Sequence, residues 1–154
     1  MRWLTATILT FSIFLLSGSA RAAEGRVIKV LPVFLDTNGQ FTVSPSLYDR
    51  DAYQALLRAH PKQRSGMQFA VQWKARRPVT TPLTLRVELR GVAEGSLPKQ
   101  TALEETVHKH GWFSTWTNVT LAGDAYRDFG EVTAWRVTLW DGSQMLGEQK
   151  SFLW

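Results

Sequence analysis

The chain has 154 residues, no cysteine, 18 Lys and Arg against 13 Asp and Glu, and a formal net charge of +5. A chain of this size builds one domain around one core, and without cysteine that core must hold by packing alone. The absence of cysteine also excludes a thiol nucleophile, a thiolate metal site and a lipid-modified cysteine.

Residues 1–22, MRWLTATILTFSIFLLSGSARA, have the three parts of a secretory leader. Arg2 supplies the positive start. The apolar run from Trp3 to Leu16 is shorter than the roughly 20 residues a bilayer span needs. Ala20-Arg21-Ala22 fits the small-x-small cleavage pattern. The expectation is a cleaved signal peptide over 1–22 and a mature domain over 23–154, periplasmic or secreted, with no transmembrane segment after cleavage. Loss of Arg2 and Arg21 takes the formal charge from +5 to +3. Export argues against nucleic acid as a partner.

The mature chain opens with RVIKVLPVFLD, which reads as a strand, and GQFTV, a short return around Thr37-Asn38-Gly39. SPSLYDRDAYQALLRAHP then changes period. Tyr53, Leu56, Leu57 and His60 fall on one face of a helix over about 49–60, with Asp51 and Gln54 as a capping pair and Pro61 closing it. About three turns do not stand alone, so this helix is expected to cover a sheet edge or an open end.

After residue 65 period-two alternation dominates. Met67, Phe69, Val71 and Trp73 share one face of GMQFAVQWKAR; Leu83, Leu85, Val87 and Leu89 share one face of LTLRVELRG; Trp135, Val137 and Leu139 do so in VTAWRVTLW. Weaker strands cover Thr101 to His108 and Phe113 to Leu121, and turn signals fall at Gly91, Gly95-Ser96, His110-Gly111, Gly123-Asp124 and Asp141-Gly142. About seven strands at this spacing predict an all-β fold: a single antiparallel Ig-like β-sandwich with one short accessory α-helix. Trp73 and Trp135 are its expected core tryptophans. The stretches SPSLYDRDAYQ and RSGMQFAVQWKAR, with the closing SFLW, resemble small exported bacterial proteins with an Ig-like or fibronectin-like sandwich. The resemblance implies that fold and carries no catalytic motif.

The last strand raises a parity conflict. Leu146, Phe152 and Trp154 share a side with Glu148 and Lys150. Charges at those positions exclude a lipid-facing barrel strand and predict that the strand either leaves the sheet's covered region midway or carries a bulge near Gly147. Phe152 and Trp154 are expected to pack against the N-terminal strand or the helix, with Trp154 capping the core.

Charge gives the first functional candidates. Arg58, Lys62, Arg64, Lys74, Arg76, Arg77, Arg86 and Arg90 lie between residues 58 and 90 against Glu88 alone, whereas acids outnumber bases from Glu94 to Glu131. A basic surface around Arg76, Arg77, Arg86 and Arg90 suits an anionic partner, although charge runs also serve as ordinary solvated faces. Trp112, Trp116 and Trp140 are candidates for stacking sugar rings if exposed, or for filling the sandwich ends if not. His108 and His110, with His60 as a third, have chelating spacing, but no Asp, Glu or Cys shares it, so the segment reads as a turn and no metal or other cofactor is expected. No serine sits in a G-x-S-x-G elbow, and Glu104-Glu105 with Asp124 or Asp128 could make a carboxylate pair for glycoside hydrolysis, though acids on exposed strands and loops are ordinary. The first reading is therefore a non-catalytic binding or structural module, not an enzyme, that docks an unidentified protein or anionic envelope component. A carbohydrate-binding module is the alternative, and a hydrolase with a carboxylate or histidine site is the third reading.

Overall fold

The computed structural model describes residues 24–76, 82–108 and 113–154. The expected leader, Arg77, His110 and Trp112 lie outside the described residues. Seven strands form two antiparallel sheets: β1 (Glu24–Asp36), β2 (Arg64–Arg76) and β5 (Thr115–Ala122) in the order β1-β2-β5, and β3 (Leu83–Val92), β4 (Pro98–Val107), β6 (Glu131–Asp141) and β7 (Gln144–Lys150) in the order β4-β3-β6-β7. Lettered A to G along the chain this is ABE packed on DCFG. The Ig constant arrangement keeps strand D beside E; here it pairs with C. The fold is the expected all-β antiparallel sandwich.

Alternation decides which side of each sheet is buried. Phe69, Val71 and Trp73 of β2 meet Leu83, Leu85, Val87 and Leu89 of β3 and Val137 and Leu139 of β6, all essentially without solvent contact. Burying each such side chain contributes roughly 1.5–3 kcal/mol, so these strands carry most of the apolar stabilisation. Trp73 is a central core residue and donates its indole N–H to Thr117 Oγ1 at 2.9 Å. Trp135 packs only at the core margin, half-buried, where the pairing of β6 with β7 has stopped at Arg136.

The helix, α1, spans Leu47–Ala59, two residues earlier at its start than its periodicity suggests. Ser46 is its N-cap, accepting from the Asp49 amide; the expected Asp51–Gln54 box does not form. Gln54 is instead buried against β1, and so is Leu57, whereas Leu56 and His60 are exposed. Consequently residues 40–43 make no return strand: Gln54 occupies the amide and carbonyl of Phe34 that such a strand would have paired. As expected, the helix covers a sheet edge, that of β1.

A second helix, α2 (Gly123–Phe129), replaces the turn expected at Gly123-Asp124. Tyr126 and Phe129, three apart and so on one helix face, enter the core. Arg64 ties α1 to the sheets. Its side chain is 3% exposed, with Nε donating to the Leu57 carbonyl at 2.6 Å, Nη2 to the Arg58 carbonyl at 2.5 Å and Nη1 to Glu131 at 2.8 Å, and it lies 4.0 Å over the Phe34 ring.

The terminal hairpin turns at Gly142-Ser143, with Gly142 at φ +57°, and its register shifts between Leu139/Trp140, so that Leu146 is the extra residue beside Gly147. Of the two expectations for this strand, a bulge near Gly147 is the one that forms. It lets Leu146 reach the core while Glu148 and Lys150 point outward opposite Thr138 and Arg136. It also draws β7 onto β1: a Cβ on Gly147 would lie 2.7 Å from the Arg26 Cα, and one on Gly25 2.9 Å from the Leu146 Cβ.

The expected packing of the last residues is not what forms. Phe152 is 101% exposed, and Trp154 lies half-buried on the outside of the four-stranded sheet, 4.1 Å from the Arg90 guanidinium and 5.1 Å from that of Arg136. Pairing ends at Lys150 with Arg136, after which Ser151 bonds the Trp135 backbone and the chain turns over the sheet's outer face. The aromatic tail therefore meets arginines on the outer face rather than leucines of the core.

Candidate functional site

The four-stranded sheet turns Arg86, Glu88 and Arg90 of β3 outward, cross-strand from Glu104, Ala102 and Gln100 on β4 and from Thr138, Arg136 and Ala134 on β6. Nearly every charge here has a partner at hand. Arg86 bonds Glu104 at 2.6 Å and lies 5.8 Å from the Trp140 ring; Arg136 bonds Glu88 at 2.7 Å and faces Trp154. The hydrogen bond to the Glu88 carboxylate raises the Arg136 pKa further above its ordinary value. Trp140 donates to Thr138 Oγ1 at 2.8 Å, and Thr138, though on the outer face, is 1% exposed. Trp140 and Trp154 thus each face a guanidinium. The exception is Arg90, which has Trp154 but no carboxylate among the described residues; it lines a shallow cavity of about 360 Å³ with Gln100, Thr101, Ala102 and Arg136.

The three-stranded sheet differs. Register pairs Glu24 with Arg76, Arg26 with Lys74, and Lys29 with Gln72, while the intervening Trp73 and Ala75 are buried. Arg26, Lys29, Lys74 and Arg76 therefore share its outer face. Glu24 approaches Arg76 at 3.5 Å with both side chains about 70% exposed; Arg26, Lys29 and Lys74 have no ion pair among the described residues. A regular strand puts residues 26 and 29 on opposite sides. The register shift between Val27 and Lys29 brings them together. On the other side of β2, Gln72 pairs with Trp116, which is 48% exposed. Gln72 also donates to Ser114 Oγ at 2.9 Å, which fixes its amide beside the indole.

The candidates read from sequence are thus divided. Arg86, Arg90 and Trp140 share the outer face of the four-stranded sheet, and Arg76 and Trp116 share the opposite outer face. Arg26 and Lys29 were not among them, because only the bulge and the pairing with β2 join them to Lys74 and Arg76.

The remaining chemistry is dispersed. Glu104 is held by Arg86, Glu105 lies exposed beside it, Asp124 pairs with Arg127 within α2, and the Asp128 carbonyl accepts from Lys99. Lys99 and Glu104 are five residues apart on β4, about 17 Å at strand rise, so these acids sit at separate stations rather than facing each other. His60 ends α1 with a ring nitrogen 2.9 Å from the Leu56 carbonyl, and His108 is exposed just past β4. Among the described residues no three His, Asp or Glu side chains gather as a metal-binding group. No described helix is long and apolar enough to cross a membrane. Comparison with protein-family models, curated proteins and solved structures finds no match to this chain.

Proposed function

We propose that the protein is an exported, non-catalytic binding module that docks an anionic envelope or secreted component through the outer face of its three-stranded sheet. One observation carries the reading: Arg26, Lys29, Lys74 and Arg76 lie together there, with Glu24 the single carboxylate among the described residues of that face. Uncompensated charge on one face acts at a distance and favours an anionic partner. Arg86 and Arg136 belong to the opposite face and spend their charge on Glu104 and Glu88. The leader-like residues 1–22 support export.

The test is binding to envelope fractions at low and high salt, with wild type and a Lys29→Glu/Lys74→Glu variant. Expected is salt-sensitive binding that the double reversal abolishes and that Arg86→Gln leaves intact. Equal binding by wild type and the double variant would remove this face from the function.

A further inference from the structure

We infer that the ligand of this face is an anionic polysaccharide, its acidic groups paired with Lys29 and Lys74 and one sugar ring stacked on Trp116. The inference rests on the docking reading above and adds the ligand's chemistry. Lys29, Gln72 and Trp116 form one row across β1, β2 and β5. Two strand spacings separate the ammonium's strand from the indole's, about 10 Å. Between them stands an amide already oriented by Ser114.

A saccharide needs these three groups together. The C–H face of a pyranose packs on an indole, its hydroxyls exchange hydrogen bonds with an amide, and a carboxylate or sulfate substituent pairs with a lysine. Trp116 is available for this. No cation lies over its ring among the described residues, in contrast to Trp140 and Trp154, and no hydrogen bond occupies its N–H. The next row along is Leu31, Ala70 and exposed Asn118, so the floor beside the ring is low at Ala70 and polar at Asn118, with Leu31 at its far side on β1. A bare polyanion would need the lysines but not the ring. A protein partner would need an apolar centre, whereas Trp116 is flanked by Gln72 and Asn118, with Lys29 at the far end of its row.

The experiment measures binding of the full chain to polygalacturonate, dextran, polyphosphate and phosphatidylglycerol vesicles. Expected is salt-sensitive binding to polygalacturonate above the other three probes. Trp116→Ala should weaken it about tenfold with the melting temperature unchanged, and Trp116→Phe should keep most of it. Lys29→Glu should weaken polygalacturonate and polyphosphate alike. Polyphosphate or vesicles bound as tightly as polygalacturonate, with no effect of Trp116→Ala, would overturn the glycan and leave anionic docking standing. Dextran bound as tightly would overturn the role of the lysines. Binding to none of the anions would overturn both readings.

Discussion

Gln54 hydrogen-bonds both backbone groups of Phe34: its Oε1 accepts from the Phe34 amide at 2.8 Å and its Nε2 donates to the Phe34 carbonyl at 2.9 Å. The same Nε2 donates to the Phe41 carbonyl at 2.8 Å. A single side chain thus does for the edge of β1 what a neighbouring strand would do, and it blunts an edge open to pairing with other chains. Gln54→Leu, of similar size, strands these groups and should cost about 2–3 kcal/mol. Denaturant unfolding measures the loss, and amide exchange at Phe34 should accelerate. Unchanged protection at Phe34 would mean the contact is incidental.

Arg64 and Glu131 should be unequal partners. Arg64→Ala orphans the carbonyls of Leu57 and Arg58 and removes the cation over Phe34, at a cost of about 3 kcal/mol. Glu131 is half-exposed, and Glu131→Gln should cost under about 1 kcal/mol. Equal losses for the two variants would show that the ion pair, rather than the carbonyl bonds, holds the helix.

Asp36 gives the fold a dependence on acid. The Gln40 amide, then the Tyr53 hydroxyl and the Asn38 amide, hold its pKa below the ordinary carboxylate value, against the opposing effect of burial. A depressed folded pKa contributes stability that is complete above the unfolded value and fades as pH falls through the folded one. The loss therefore falls below about pH 4. Urea midpoints measured from pH 6 downward should decline in that window for wild type, with a shallower slope for Asp36→Asn. The same slope in both proteins would assign the acid sensitivity to other groups.

Close approach of β7 to β1 should leave Gly147 without room for substitution. Gly147→Ala drives a methyl into backbone at Arg26 and should destabilise by about 1–3 kcal/mol. A melting curve decides this directly.

At the far end of the chain, Trp154→Ala should cost about 0.5–1 kcal/mol, the worth of an exposed stack on Arg90 and Arg136. Phe152→Ala should leave the melting temperature unchanged, since Phe152 touches solvent on all sides. If Phe152→Ala proves the costlier of the two, the tail packs elsewhere in solution.

The sandwich was readable because β2, β3 and β6 alternate cleanly, and alternation states which face is buried. The positions where reading stopped share a physical cause. Nothing local in RVIKV announces that one residue bulges, so the common face of Arg26 and Lys29 stays hidden until β1 is laid against β2. Gln54 looked like a cap because capping and edge-pairing use the same amide, and only tertiary contact chooses between them. Tyr126 and Phe129 are too few to show a helical period. Arg76 and Arg86 look like neighbours in a basic run, yet the passage from β2 to β3 crosses from one sheet to the other and puts them on opposite sides of the molecule.

That crossing makes the protein electrically two-sided. Among the described residues one outer face carries four cations and one carboxylate, while Arg86, Arg90, Arg136 and Lys150 on the other are interleaved with Glu88, Glu104 and Glu148. The sheets are stacked about 10 Å apart, close to the screening length of about 10 Å at 0.1 M salt. An anionic surface therefore acts more strongly on the near face than on the far one, and exerts a torque as well as a pull. Such a torque favours approach with the cationic sheet leading, and added salt weakens that alignment.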